Sequence, residues 1–192
     1  MWLIAGLGNP SPEYEKTRHN LGFKVLDLIA QRWGINIVTR RGVMAKGRGR
    51  YRNEQVLLVK PLTFMNRSGA VLAPVVEAEN LSGQRILVLV DDMDLPLGTV
   101  RYRRKGGSAG HRGMDSIISS LGFDDFHRIR IGIGRPEHQD DNVSYVLSGF
   151  SDKELPVVNR MVNAAADLAG RIISEGEMEP VTIKTEDIEE EL

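Results

Sequence analysis

Short apolar runs alternate along this chain with segments whose apolar residues recur at helical spacing. The clearest buried strands are predicted at residues 2–5, 55–59 and 85–90, each a brief and largely aliphatic run. Helical spacing predicts a helix that is capped by Asn20 and ended by Gly34. Strands separated by helices favour an α/β domain with a twisted, mostly parallel but mixed central sheet and helices on both faces.

The later elements are predicted from shorter patterns. Pro74 lies within a helical pattern and is expected to kink that helix or to delay its start. Residues 99–103 alternate in polarity like an edge strand or a half-exposed strand. Ser151 and Glu154 have the spacing of a capping box, which predicts the start of the last helix.

The composition narrows the chemistry that this chain can perform. It has 192 residues and no cysteine, which excludes disulfides, thiolate catalysis and cysteine-ligated metal sites. Residues 1–10 lack the basic region and long apolar run of a signal peptide, and no stretch reaches the ~18 apolar residues of a membrane span. We therefore expect one cytoplasmic α/β domain over residues 1–176, without membrane association.

Charge is distributed unevenly along the chain. The net charge is −1, yet residues 175–192 contain eight acidic residues and one lysine. Residues 39–52 and 98–112 contain six and five Lys or Arg residues, respectively, and no acidic ones. A basic body with a separate acidic segment is typical of proteins that bind a polyanion such as a nucleic acid. The acidic tail, residues 177–192, is expected to be loosely ordered.

Two glycine-rich stretches imitate known motifs without meeting their structural requirements. Residues 6–8 begin like a dinucleotide-binding turn, but Ser11 replaces the third glycine and no acidic residue follows a second strand. Ser108 lies in a GxSxG pattern, yet the residues before it are basic and cannot end the buried strand that a nucleophilic serine needs. This second stretch fits a loop whose backbone N–H groups face an anion.

Polar side chains follow the three buried strands. If these strands are parallel, Asn9, His19, Asn66 and Asp91 converge at one edge of the sheet. A carboxylate at the end of a buried strand needs a partner, and a neutral histidine bonded to it can take a proton from water. The four histidines lack the spacing of metal ligands, so no metal is predicted. These residues therefore predict hydrolysis by an activated water molecule.

Four stretches of the chain resemble bacterial-type peptidyl-tRNA hydrolases in order and spacing: GLGNPSPEYEKTRHNLGF, KPLTFMNRSGAV, DDMDLPLGTVRYRRKGGSAGHRGMDSI and FHRIRIGIGRP. The resemblance spans most of residues 6–136. It implies a monomeric α/β enzyme that needs no cofactor. It also implies hydrolysis of the ester bond between a peptide and the 3′-terminal ribose of tRNA, which recycles tRNA from prematurely released peptidyl-tRNA.

The resemblance implies catalytic roles for His19, Asp91 and Asn9 and a substrate-binding role for Asn66. His19 matches the position of the catalytic base, and Asp91 matches the residue that supports it. Asn9 and Asn66 match amides that contact the substrate, and either could position the ester. Which of the two asparagines faces the scissile carbonyl stays open at this point.

Binding residues are implied in the same way. Tyr14 and Phe64 match positions that line the site for the peptide and for the CCA end of tRNA. Arg103 and Arg130 match basic positions associated with a clamp for tRNA phosphates. Arg101 is added to this clamp on its charge alone.

Arg112 departs from the family pattern, which usually has asparagine after the histidine of the glycine-rich loop. A cation in this position can bind a phosphate near the CCA end, or it can swing out and leave the role of the amide unfilled. Two alternatives therefore stay open. One is an RNA-binding adaptor that kept the fold and lost the activity, and the other is a serine hydrolase that uses Ser108.

Overall fold

The computed structural model of this chain describes residues 1–40, 42–136, 141–176 and 178–187. Its α-helices are α1 Leu21–Trp33, α2 Ser68–Ala78, α3 Arg112–Leu121, α4 Asn142–Val146 and α5 Leu155–Glu175. Its strands are β1 Trp2–Gly6, β2 Val38–Arg40, β3 Met44–Tyr51, β4 Glu54–Pro61, β5 Ile86–Asp92, β6 Thr99–Arg103, β7 His127–Gly132 and β8 Val181–Lys184.

All eight strands of the described residues form one sheet, in the order β2-β3-β4-β1-β5-β7-β6-β8. The central strands β4, β1, β5 and β7 run parallel to one another. The strands on either side of this centre pair in the antiparallel sense. The prediction of an α/β fold with a mixed sheet is confirmed, and the parallel part occupies the middle of the sheet.

Helices cover both faces of the sheet. α1 and α5 pack on one face, over a core that includes Ile4, Leu89 and Ile131. α2 and α3 pack on the other face, over Leu57 and Val88. Because successive strand residues point to opposite faces, the central strands are buried on both sides, which explains their continuous apolar runs. None of the helices in the described ranges is long and apolar enough to cross a membrane.

The first basic segment, residues 39–52, contributes to strands β2 and β3, neither of which is predicted from the sequence. In β3 the cations alternate with Gly47 and Gly49, and both glycines pack closely against Ile35. An apolar side chain on every second residue is the usual sign of a half-buried strand. In β3, glycine occupies these inward-facing positions, so the alternation of apolar and polar side chains that would predict a strand is absent.

The C-terminal segment adds a strand outside β6. Thr182 of β8 lies opposite Arg101 of β6. Of the two predicted alternatives for β6, an edge strand is therefore wrong. Val181 and Ile183 pack against the core below α1 and α5. The prediction of a loosely ordered tail is therefore wrong for Val181–Lys184. Residues 177 and 188–192 of that tail lie outside the described residues.

Helix starts differ in detail from their predictions. Asn20 precedes α1, but its side chain makes no capping bond to that helix. α2 begins at Ser68 and accommodates Pro74 in its interior. Ser151 and Glu154 do bond to each other, with the Ser151 N–H 2.8 Å from Glu154 Oε2, but α5 begins only at Leu155.

Helix α1 approaches the sheet very closely at Gly22. A Cβ atom at this position would lie 2.3 Å from Leu89 O and 2.6 Å from Leu7 N, so no other residue fits without a shift of the backbone. The close contact fixes the start of α1 against the carboxyl ends of β1 and β5. It thereby sets the place of the 3-10 helix Arg18–Asn20, which leads into α1 and carries His19.

Candidate active site

A cleft of about 680 Å³ opens where the parallel strands β1, β4 and β5 end. Parts of the loop before α3 and of helix α4 form two of its walls. The cleft brings together all of the residues that the sequence assigned to catalysis or substrate contact: Asn9, Tyr14, His19, Phe64, Asn66, Asp91 and Arg112.

His19 and Asp91 meet on the floor of this cleft. His19 Nδ1 lies 3.0 Å from each carboxylate oxygen of Asp91, and both residues are buried. A carboxylate accepts hydrogen bonds, so Nδ1 carries the proton and donates it to Asp91. This tautomer leaves the lone pair of the imidazole on Nε2, where it can accept a proton from water.

His111 is a third member of this cluster, and the sequence reading missed it. Its Nε2 lies 3.0 Å from Asp91 Oδ1, and its Nδ1 accepts from the backbone N–H groups of Gly113 and Met114 at 3.1 and 3.3 Å. Two donors at Nδ1 hold the ring in the tautomer with a proton on Nε2. His111 therefore caps α3 with one nitrogen and donates to Asp91 with the other.

The only sequence signal for His111 was its position immediately before a helical pattern, where a capping side chain is expected. Capping residues are usually Ser, Thr, Asp or Asn, so a histidine in this place does not stand out. Nothing in the sequence links it to Asp91, which lies 20 residues earlier.

The two histidines determine the charge state of Asp91. Burial on its own raises the pKa of this carboxyl group. The electrostatic attraction of the His111 and His19 rings and the hydrogen bonds that they donate outweigh burial and hold the pKa well below its usual value of 3.8. Asp91 is therefore ionised at neutral pH and acts as a hydrogen-bond acceptor for both rings.

Asn9 is fixed so that its amide nitrogen remains available. Its backbone N–H donates to Asn20 Oδ1 at 2.8 Å, and its backbone C=O accepts from Asn20 Nδ2 at 2.9 Å. The Asn20 side chain makes these two bonds instead of capping α1. Its Oδ1 accepts from the N–H of Met65 at 3.3 Å. Within the described part of the chain Nδ2 has no acceptor, so it can donate to a ligand in the cleft.

The predicted substrate-contacting residues lie around the rim. Phe64 is 70% exposed, which is unusual for a large apolar side chain, and it precedes the exposed Asn66 in a short turn. Tyr14 lines the same cleft from the loop after β1. An exposed ring at a rim offers a surface on which a base or an aromatic side chain can stack.

Arg112 is the exposed first residue of α3 and lies at the rim of the cleft. No acidic side chain pairs with it among the residues that the structure describes. A cation in the first turn of a helix is opposed by the helix dipole, by about 0.3–1 kcal/mol. The arginine is thus unfavourable for the helix itself and free to meet an anion.

The predicted clamp residues share one face of the sheet. Arg101 lies directly opposite Arg130, and Arg103 lies opposite Arg128. Like charges directly across a strand pair destabilise a sheet unless something neutralises them. Arg130 lines the cleft and pairs with Asp92 at 2.6 Å, whereas Arg101 Nε bonds to Thr182 at 3.1 Å. Arg103 borders a separate, shallower depression.

Arg128, which the sequence reading did not single out, is buried below the glycine-rich loop. Its guanidinium donates to the carbonyl oxygens of Gly106 and Gly107 and, on its other side, to those of Asp124 and Phe126. Burial lowers the pKa of Arg128 to about 10, so it remains charged at neutral pH. It fixes the loop that forms one wall of the cleft.

A metal ion has one candidate location in the described ranges. Ligand atoms of His19, Asp91 and His111 lie within 4.8 Å of one another. The facing nitrogens of both rings are already bonded to Asp91, however, and a metal would have to replace those hydrogen bonds. The expectation that the protein needs no metal stays a prediction.

Ser108 lies in the cleft as part of a turn. Its hydroxyl accepts from the N–H of Gly110 at 3.1 Å. No imidazole bonds to this hydroxyl in the part of the chain that the structure describes. A serine nucleophile needs such a base, so the arrangement gives no support to a serine hydrolase.

Comparison with known proteins places this cleft in a family. The sequence model of the family described as Peptidyl-tRNA hydrolase matches residues 3–190. The chain belongs to the peptidyl-tRNA hydrolase family. It is 46% identical to a peptidyl-tRNA hydrolase of Caldanaerobacter subterraneus over 92% of this chain and 95% of that protein. It is 44% identical to one of Geobacillus thermodenitrificans over 91% and 94%, respectively.

A solved structure supports the same membership. The crystal structure of peptidyl-tRNA hydrolase from Acinetobacter baumannii superposes with a TM-score of 0.85 at 32% identity. The match covers 92% of this chain and 89% of that one. The mixed sheet and its two helical layers are therefore the fold of the peptidyl-tRNA hydrolases.

Proposed function

We propose that this protein hydrolyses the ester bond between a peptide and the 3′-terminal ribose of tRNA. Family membership supports the reaction. The observation that carries the mechanism is the hydrogen bond between His19 and the buried Asp91 at the floor of an open cleft, where Asp91 also accepts a hydrogen bond from His111. The products are a free peptide and a tRNA that can be charged again.

His19 acts as the general base in the proposed mechanism. Its Nε2 takes a proton from a water molecule while the water oxygen attacks the ester carbonyl carbon. The tetrahedral intermediate then collapses, the bond to the ribose 3′-oxygen breaks, and His19 returns the proton to that oxygen. Asp91 stabilises the imidazolium that forms in between, and no covalent intermediate with the enzyme arises.

Asn9 stabilises the charge that develops on the carbonyl oxygen. Its Nδ2 is held in place by the bond from Met65 to Oδ1 and by the Asn20 amide. A donor that is fixed in advance needs no reorganisation when negative charge appears, which is the basis of an oxyanion site. Asn66, on the exposed side of the cleft, is left to contact the peptide backbone.

The tRNA lies across the basic face of the sheet in this proposal. Arg101 and Arg103 meet phosphates directly, and Arg130 contributes from the cleft while it remains paired with Asp92. A polyanion relieves the repulsion between arginines that face one another across β6 and β7. Phe64 and Tyr14 stack with the CCA end or with a peptide side chain, and Arg112 binds a phosphate near that end.

Selectivity for blocked substrates follows from this arrangement. The amide side chains of the cleft donate hydrogen bonds to a peptide carbonyl of the blocked substrate. An aminoacyl-tRNA lacks that carbonyl, so these donors stay without an acceptor, and its α-ammonium group must also lose its hydrating water on entering the cleft.

We also propose that the protein acts as a monomer in the cytoplasm, where peptidyl-tRNA is released during translation.

The release of N-acetylaminoacyl residues from tRNA tests the proposal. We expect turnover of the blocked substrate, far slower release from the unblocked aminoacyl-tRNA, and no labelling of the protein by a fluorophosphonate. Tight tRNA binding without release of the blocked residue would instead favour the adaptor hypothesis that Arg112 suggested. Labelling of Ser108 would favour the serine hydrolase.

A further inference from the structure

A buried arginine stands immediately before the proposed base. Arg18 is 7% exposed and precedes His19 in the 3-10 helix Arg18–Asn20. Its Nη2 donates to Oε1 and Oε2 of Glu154 at 3.0 and 3.1 Å. The reaction proposed above assigns no role to this ion pair, which joins positions 136 residues apart.

Two aromatic rings complete the surroundings of the guanidinium. Arg18 Cζ lies 4.5 Å from the ring centre of Tyr145 and 4.5 Å from that of Phe150. Its Nε is 3.4 Å from Ser148 Oγ, and its backbone N–H donates to Ser148 O at 2.9 Å. Thus Arg18 holds the segment from α4 to the start of α5 by side chain and backbone together.

This segment forms a wall of the cleft. Asn142, Val143, Val146 and Leu147 line the cleft on the side of α4. With five residues, α4 is too short to be stable without contacts from elsewhere. Tyr145 provides one contact, through its hydroxyl to Ile133 O at 2.5 Å, and the Arg18 cluster provides another.

We propose that Arg18 is a positioning residue, which sets the α4 wall of the cleft relative to His19 through its bonds to Glu154 and Ser148 and its stacking on Tyr145 and Phe150. This inference rests on the proposed function. The side chain next to the proposed base then determines how closely the wall approaches the substrate.

The chemistry of the cluster requires arginine. A guanidinium can bond a carboxylate with its planar edge while both of its faces stack on rings, which an ammonium group cannot do. Breaking one side of a buried pair is costly because the remaining charge stays buried without a partner. Glu154 is the better residue to change first, because it lies outside the cleft and does not neighbour His19.

The test compares Glu154→Gln with a matched control, Asp167→Asn. Asp167 lies on α5, which Glu154 immediately precedes, and it also pairs with an arginine, Arg32, at 2.8 Å, but that pair is exposed and remote from the cleft. For Glu154→Gln we expect the KM for N-acetylaminoacyl-tRNA to rise about tenfold with kcat within about twofold, as when one charge-assisted bond that orders a binding surface is lost. The control should match the native protein.

Hydrogen exchange provides a readout that does not depend on turnover. Backbone amides of residues 143–147 should exchange faster in Glu154→Gln than in the native protein and in Asp167→Asn. If Glu154→Gln is too unstable at the assay temperature, Phe150→Leu removes one of the two rings and should shift KM and exchange in the same direction.

Unchanged KM and unchanged exchange at residues 143–147, with only a lower melting temperature, would overturn the positioning role and leave a purely structural one. A native protein that releases no peptide would refute the proposed reaction instead. The exchange data would then still decide whether Arg18 holds the wall.

Discussion

His111 donates a hydrogen bond to the same Asp91 carboxylate that His19 contacts, at the same distance of 3.0 Å. Among the residues that the structure describes, Asp91 has two imidazole partners, and of these two only His19 has no hydrogen bond at its second nitrogen. The other nitrogen of His111 is used to cap α3. His111 thus links the start of α3, with Arg112 beside it, to the proposed catalytic pair.

Replacing His111 by asparagine separates its two tasks. Asn is a good capping residue, so His111→Asn should keep the start of α3 while losing the bond to Asp91. We expect kcat to fall about tenfold with KM nearly unchanged, which corresponds to one hydrogen bond to a charged acceptor. His111→Ala should lose the cap as well, and its free energy of unfolding should fall by about a further 1 kcal/mol. Native kcat in His111→Asn would show that Asp91 and His19 need no second partner.

The amide nitrogen of Asn9 is the donor assigned to the developing oxyanion. Asn9→Asp keeps the shape and the oxygen that accepts from Met65 but places a negative charge where negative charge must develop. We expect kcat to fall by about 10²–10³-fold while tRNA affinity and melting temperature change little. Steady-state release assays and a binding titration measure the two effects. A loss of less than about threefold would move the oxyanion site elsewhere, with Asn66 the next residue to test.

Asp91 should also contribute to stability in a way that depends on pH. Its folded-state pKa lies below the unfolded value, so this contribution is complete above about pH 4 and is lost as pH falls toward the folded pKa. We expect Asp91→Asn to be about 3 kcal/mol less stable than the native protein at neutral pH. Urea unfolding should show a smaller difference near pH 3. A difference that stays constant across this range would mean that the carboxylate is not held ionised by the two histidines.

Arg112 is exposed on the rim of the cleft, and the proposed function gives it a phosphate near the CCA end as its partner. Arg112→Asn should weaken tRNA binding severalfold and reduce the slope of log K against log salt by about one, as for one lost phosphate contact. The melting temperature should stay the same or rise, because a cation is removed from a helix N-terminus. Arg171→Asn, on an exposed part of α5 away from the cleft, is the matched control. An unchanged slope would mean that Arg112 swings away from the RNA.

The centre of the sheet could be predicted because its strands are buried on both faces and so carry continuous apolar runs. β3 could not, since glycines occupy the inward positions whose apolar side chains normally reveal a strand. β2 and β8 have only three and four residues, which is too short for a distinct pattern. The meeting of Asn9, His19, Asn66 and Asp91 followed from the rule that parallel strands end at one edge. Contacts made by loops escaped prediction.

His111 and Arg18 illustrate this limit. His111 reaches Asp91 through a loop whose path depends on the buried Arg128. Arg18 meets Glu154 because the segment between α4 and α5 lies beside the 3-10 helix Arg18–Asn20. Neither contact leaves a periodic or local signal in the sequence, because each depends on where two separately folded segments come to lie.

The proposed reaction rests most directly on the Nε2 nitrogen of His19. Single-turnover release from saturating N-acetylaminoacyl-tRNA by the native protein and by His19→Ala, with tRNA affinity measured in parallel, tests it. We predict that His19→Ala binds tRNA as the native protein does and releases the blocked residue at least about 10²-fold more slowly, the effect of losing a general base. Equal release rates for the two proteins would contradict the account, because His19 would then not activate the water.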